Sequence, residues 1–138
     1  VDERGFVMEI LRSDEALFRQ FGQAYVSACF PGIIKAWHCH ERQYDYFCCL
    51  NGNLKVGLYD DRADSPTRHQ TQSVVIGELN PAVICIPPYV WHGFTAVGGV
   101  TALVLNLPTE VYRADQPDEL RRPALDPEIP FAWKTEGW

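Results

Sequence analysis

An all-β sandwich or barrel is the architecture that these 138 residues predict, on three observations. Eight short apolar runs succeed one another between residues 23 and 107. Turn-forming residues separate them at short intervals, and helical periodicity is nearly absent.

In chain order, the acidic pair Asp2-Glu3 reads as a turn, and Phe6-Val7-Met8 begins an apolar strand candidate. Ser13 offers an N-cap, Asp14 and Glu15 suit a helix N-terminus, and Leu17, Phe18 and Phe21 form an apolar stripe. A helix of one or two turns is therefore expected, ended by Gly22. Strand patterns then occupy 23–29, 33–40, 45–50, 54–59, 71–76, 82–86, 91–96 and 101–107. Their punctuation is Pro31-Gly32, Asn51-Gly52, Asp64-Ser65-Pro66, Asn80-Pro81, Pro87-Pro88 and Gly98-Gly99. Asn51-Gly52 is a strong hairpin signal. The proline-rich tail 108–138 is expected to wrap the barrel as an irregular segment, with Phe131 and Trp133 as anchors. No repeat, low-complexity tract or linker divides the chain, so residues 1–138 read as one domain.

A net charge of −6 argues against a nucleic-acid backbone as partner, although a few placed Arg or Lys can still hold a phosphate. No apolar run approaches a membrane span and no signal-peptide pattern opens the chain, so no membrane partner and a cytoplasmic location are expected. The five cysteines, 29, 39, 48, 49 and 85, lie in strand-like runs without a Cys-x-x-Cys pair. They read as small buried hydrophobes in a reducing compartment.

The chemistry gathers in residues 32–52, GIIKAWHCHERQYDYFCCLNG. His38 and His40 stand two apart on a strand, so both imidazoles leave the same face. Asp45 opens the next run, and His92 arrives behind a later one. The bland reading makes these groups hydrogen-bonded barrel lining. Asp45 has two functional readings, a metal ligand or a carboxylate fixing a histidine tautomer. Trp37 and Trp91 precede two of the imidazoles and so face the other way, toward sheet packing or a dimer interface. Arg62, after Asp60-Asp61, reads as half of a structural ion pair, and His69 as solvated. Tyr112 and 117–119 are expected to shape a pocket rim.

The spacing Gly32-x5-His38-x-His40-x4-Asp45-x6-Gly52 resembles the first signature of the cupin superfamily, with Asp where Glu is usual. The second signature is half present in Pro87 to His92. The resemblance implies a cupin-type jelly-roll β-barrel and, in many cupins, a divalent metal. Imidazoles with one carboxylate suit Mn, Fe, Ni or Zn, so His38, His40, Asp45 and His92 form one possible metal set.

A second resemblance runs along nearly the whole chain. Asp2-Glu3-Arg4-Gly5-Phe6, Glu9, Gln23, Lys35-Ala36-Trp37-His38, Asp61 to Thr67, Ile86-Pro87, His92-Gly93-Phe94 and Asp126-Pro127 to Trp133 are similar to motifs of dTDP-4-dehydrorhamnose 3,5-epimerases, in their order. The resemblance implies a nucleotide-linked 4-keto-6-deoxy sugar as substrate, no cofactor, and proton abstraction beside the ketone with His38 as base. It places Arg4, Glu9, Gln23 and Lys35 against the nucleotide diphosphate and base, and His92 on the pocket wall. It also implies a homodimer with exchanged N-terminal strands.

Three positions depart from the pattern. Asn106 stands where the resemblance places a catalytic Tyr, and Asp45 where it places a Lys. The Asp that orients the family's base would lie beyond Trp138. The pair His38/His40 and the run Ile86-Pro87-Pro88…Trp91 also resemble cupin ketoisomerases, in which two bases on one face can shuttle a proton. Three function classes follow: a nucleotide-sugar epimerase or isomerase using His38, His40, Asp45 and Asn106; a metal-dependent cupin, either dioxygenase or metal-assisted isomerase; and a non-catalytic nucleotide-sugar-binding relative.

Overall fold

Chain alternation between two walls builds the molecule. A computed structural model describes residues 2–135. Its strands are β1 (Tyr25–Cys29), β2 (Ile34–Cys39), β3 (Asp45–Asn51), β4 (Asn53–Asp60), β5 (Thr71–Gly77), β6 (Val83–Ile86), β7 (Val90–Val97), β8 (Ala102–Asn106) and β9 (Leu120–Arg121). One sheet runs β1-β8-β3-β6 and the other β5-β4-β7-β2-β9, with every pairing antiparallel. This is the expected all-β jelly roll.

Period-2 alternation explains the core. Cys29, Phe47, Cys49, Ala102 and Val104 from one sheet meet Leu54, Val56, Ile76 and Phe94 from the other. Each large apolar side chain so buried contributes roughly 1.5–3 kcal/mol. All five cysteines are free, four of them buried. Among the described residues, no helix is long and apolar enough to cross a membrane.

Three expectations are corrected. The short N-terminal helix does not form: residues 13–17 make turns, 18–21 are irregular, and Arg12 spends its guanidinium on Glu9 and Asp14. Leu17 and Phe21 stay exposed, so no buried apolar face sustains a nucleus that is costly in so short a segment. Asn51-Gly52 does not close a hairpin either. β3 pairs with β6 and β8 while β4 pairs with β5 and β7, so the turn hands the chain from one sheet to the other. Gly52 takes φ 71° there, a conformation glycine adopts without steric cost.

The tail is the third case. It is not a simple irregular wrap, because Leu120–Arg121 adds an edge strand to β2. Farther on, Ile129 and Trp133 bury against Trp37 and Tyr59 in a second cluster outside the five-stranded sheet. Trp37 thus packs under the chain's own tail. Gly57 makes room for it, since a Cβ there would lie 2.7 Å from the Phe131 ring and 2.8 Å from that of Trp133.

Candidate functional site

Four strand ends meet at one end of the barrel. His38 lies near the end of β2 and pairs across the ladder with His92 of β7. The β2–β7 register shifts between Lys35 and His38, the kind of bulge that re-aims a side chain beside a site. Asp45 begins β3 and Asn106 ends β8. The ring of His92 lies 6.4 Å from that of His38 and 5.4 Å from that of His40, centroid to centroid.

Asp45 is the hub of this end. Its Oδ2 lies 3.2 Å from His40 Nε2 and 3.3 Å from His92 Nε2. Its Oδ1 accepts from Asn106 Nδ2 at 2.7 Å and from Gln43 Nε2 at 2.8 Å. Burial opposes its ionisation, but the contacts from His40 and His92 outweigh burial and hold its carboxyl far below the usual range. Burial likewise works against charge on His40, yet Asp45 prevails and raises its pKa. The Nδ1 atoms of both rings are tied to backbone: His40 to the Asp118 carbonyl and His92 to that of Val90, at 3.0 Å.

His38 stands apart from that hub. Its Nδ1–H donates to Glu119 Oε1 at 2.8 Å, leaving the lone pair on Nε2. Burial lowers its pKa, and the opposing pull of Glu119 does not fully offset this. Neutral imidazole, the base form, therefore dominates at pH 7. Glu119 is itself kept ionised: burial resists, but the hydrogen bond from Arg121 and the His38 contact win.

A cavity of about 430 Å³ opens here, lined by His40, Gln43, Tyr25, Gln23, Glu119 and two cations, Arg42 and Arg113. A larger cleft of about 710 Å³ is lined by other residues, among them Asp61, Arg62 and Tyr89, and by none of the imidazoles. We take the smaller cavity as the site because His40 and Glu119, the partner of His38, line it.

The remaining sequence candidates fall in different places. Gln23 lines the cavity and accepts from the Tyr112 amide at 3.2 Å. Lys35 lies outside it, its Nζ donating to Ser27 Oγ at 2.9 Å and to the Ala28 carbonyl at 2.7 Å. Arg4 pairs with Asp2 and Glu9 with Arg12 in the exposed N-terminal segment, and the single chain brings neither to the cavity. His92 is buried with both ring nitrogens engaged by protein. Arg62 does pair with Asp60, at 2.8 Å.

Three polar partners escaped the sequence reading. Glu119 and Asp118 were visible only as rim residues, although Glu119 holds His38, and Asp118 holds His40 and caps the amides of Glu41, Arg42 and Gln43. Gln43 carried no signal at all.

The donor set fits a divalent cation at three residues rather than four. His40, Asp45 and His92 each present a ligand atom, all within 4.8 Å of one another, and His38 is outside the group. Backbone carbonyls on the far nitrogens of both rings are the usual outer support of metal-bound imidazoles.

The family model described as dTDP-4-dehydrorhamnose 3,5-epimerase matches residues 1–137. The chain is 44% identical over 137 residues to a probable low-salt glycan biosynthesis epimerase of Haloferax volcanii, covering 98% of this chain and 88% of that protein. It is also 44% identical over 135 residues to a spore coat polysaccharide biosynthesis protein of Bacillus subtilis, covering 98% and 89%. A solved dTDP sugar isomerase from Desulfovibrio desulfuricans superposes with a TM-score of 0.87 at 38% identity, over 96% of this chain and 84% of that one.

Proposed function

This chain belongs to the dTDP-4-dehydrorhamnose 3,5-epimerase family, and on that premise we propose that it epimerises or isomerises a dTDP-linked 4-keto-6-deoxy sugar with His38 as base. One observation carries the assignment: the Nδ1–H of His38 is committed to Glu119 at 2.8 Å, so Nε2 is unprotonated, on a side chain that stays 28% exposed. A ketone acidifies the neighbouring C–H. Nε2 takes that proton, the electron pair moves onto the ketone oxygen as an enolate, and return of a proton to carbon completes the turnover. Glu119 fixes the ring and stabilises the imidazolium that forms.

Arg42 and Arg113 supply cavity charge suited to a diphosphate, with Gln23 beside them. Arg4 and Glu9 join the binding surface across a homodimer in which N-terminal strands are exchanged, while Lys35 supports β1. Free, mostly buried thiols suit the reducing cytoplasm in which we place the reaction. The whole of 1–138 acts as a single domain, as the length of the family match supports.

The test is incubation with dTDP-4-keto-6-deoxyglucose in heavy water. Solvent deuterium is expected at C3 or C5 with the parent protein, and none with His38→Asn, whose dTDP affinity stays within about threefold. Absence of deuterium in the parent, with dTDP still bound, would instead identify a non-catalytic sugar-nucleotide binder.

A second reading rests on the converging ligand atoms of His40, Asp45 and His92. A divalent ion held there would act as a Lewis acid on the ketone oxygen. Titrating Mn²⁺ or Zn²⁺ into chelator-treated protein should then raise its melting midpoint, and His92→Ala should abolish the rise. Binding of less than about a tenth of an equivalent sinks this reading.

A further inference from the structure

One polar group in the cavity has no part in the base chemistry: the phenol of Tyr25. Tyr25 opens β1 directly across the ladder from Asn106. Asn106 Nδ2 donates to the Tyr25 hydroxyl oxygen at 3.0 Å and to Asp45 Oδ1 at 2.7 Å. Its Oδ1 accepts from the Tyr46 amide at 3.0 Å, so the carboxamide is pinned on three sides. The phenol oxygen is thereby held as an acceptor, and among the described residues no group takes its hydrogen. That hydrogen is free to be given to whatever fills the cavity. Tyr112 offers no equivalent; it lines the rim, is exposed, and is held only through its backbone amide.

Placement gives the phenol a role. β1 belongs to the four-stranded sheet and β2, which carries His38, to the five-stranded one. Tyr25 and Glu119, the partner of His38, line the same cavity. Tyr25 thus stands on the four-stranded wall of the cavity, while His38, tied to it through Glu119, belongs to the five-stranded one. Position 106, where the sequence pattern called for a tyrosine, is occupied by the asparagine that holds this one.

We propose that Tyr25 is the acid that returns a proton to the sugar carbon on the face opposite His38. The proposal rests on the base assignment above. In the balanced step, the C–H bond breaks toward His38 Nε2 and its electron pair becomes the enolate. The enolate pair then forms a new C–H bond with the Tyr25 hydroxyl hydrogen, leaving a phenolate. Solvent water reprotonates the phenolate and accepts the proton from His38, so the net change is inversion alone. Burial keeps the phenol's pKa above its ordinary 10.0, so it is protonated at pH 7.

Tyr25→Phe removes the hydroxyl and keeps the ring of a half-exposed edge residue, so the melting midpoint and dTDP affinity should hold. With dTDP-4-keto-6-deoxyglucose in heavy water, loss of the substrate proton and formation of the inverted product are followed together by NMR. Proton wash-out in Tyr25→Phe is expected within about threefold of the parent, while inversion falls at least about 100-fold. Inversion within about threefold of the parent overturns the proposal, as does an equal fall in both, which would make Tyr25 a support for the base. A parent protein showing no wash-out removes the base assignment and the proposal with it, an outcome that the variant alone cannot mimic.

Discussion

Asp45 is 1% exposed, and a carboxylate so deep is tolerable only because donors surround it. Asp60 solves the same problem at the far end of β4. It accepts from Arg62 Nε at 2.9 Å, Ser65 Oγ at 2.5 Å and Thr67 Oγ1 at 2.6 Å. The Arg62 bond leads, overcoming burial, and the hydroxyls add to it, so the Asp60 pKa falls well below its ordinary 3.8. A depressed carboxyl contributes stability that is complete above the unfolded value and drains away as pH falls through the folded one. Asp60→Asn should therefore cost about 1–3 kcal/mol at pH 7. The gap to the parent should narrow below about pH 4. Urea melts at pH 7 and pH 3 check this, and parallel losses at both would discount the ion pair. The residues legible in sequence were those with local logic: His38, His40 and Asp45 share one short stretch, and Arg62 sits two positions from its partner. Glu119 was legible only as a rim residue, and its bond to His38 was not, because the two lie 81 positions apart and the segment around Glu119 has no periodicity.

At the scale of elements, the eight main strands were readable because alternation and turn residues agree along 23–107. Residues 13–21 carried a cap and an apolar stripe, yet Leu17 and Phe21 of that stripe stay exposed, and local preference alone did not make a helix. β9 left no trace because two residues hold no pattern; its place is set by β2. The dipeptide Asn51-Gly52 specified a tight turn correctly, but a dipeptide does not record which sheet the next strand joins.

For the whole molecule, one surface stands out. Phe6 is 67% and Val7 92% exposed on an N-terminal segment that, among the described residues, pairs with no strand of its own chain. A second copy exchanging this segment would cover it and carry Arg4 and Glu9 to the neighbouring cavity. Light scattering at tens of micromolar should give the mass of two chains, and Val7→Asp should shift it toward one while weakening dTDP binding. A monomeric parent at that concentration sinks the arrangement.

The tail has a temporal meaning as well. Eight strands are complete by Asn106, yet the residues that hold His38 and His40, Glu119 and Asp118, come after them. Synthesis proceeds from the N-terminus, so all eight strands are made before the residues that hold His38 and His40. With His38 as the proposed base, the contact that fixes its ring is made from a residue that follows all eight barrel strands.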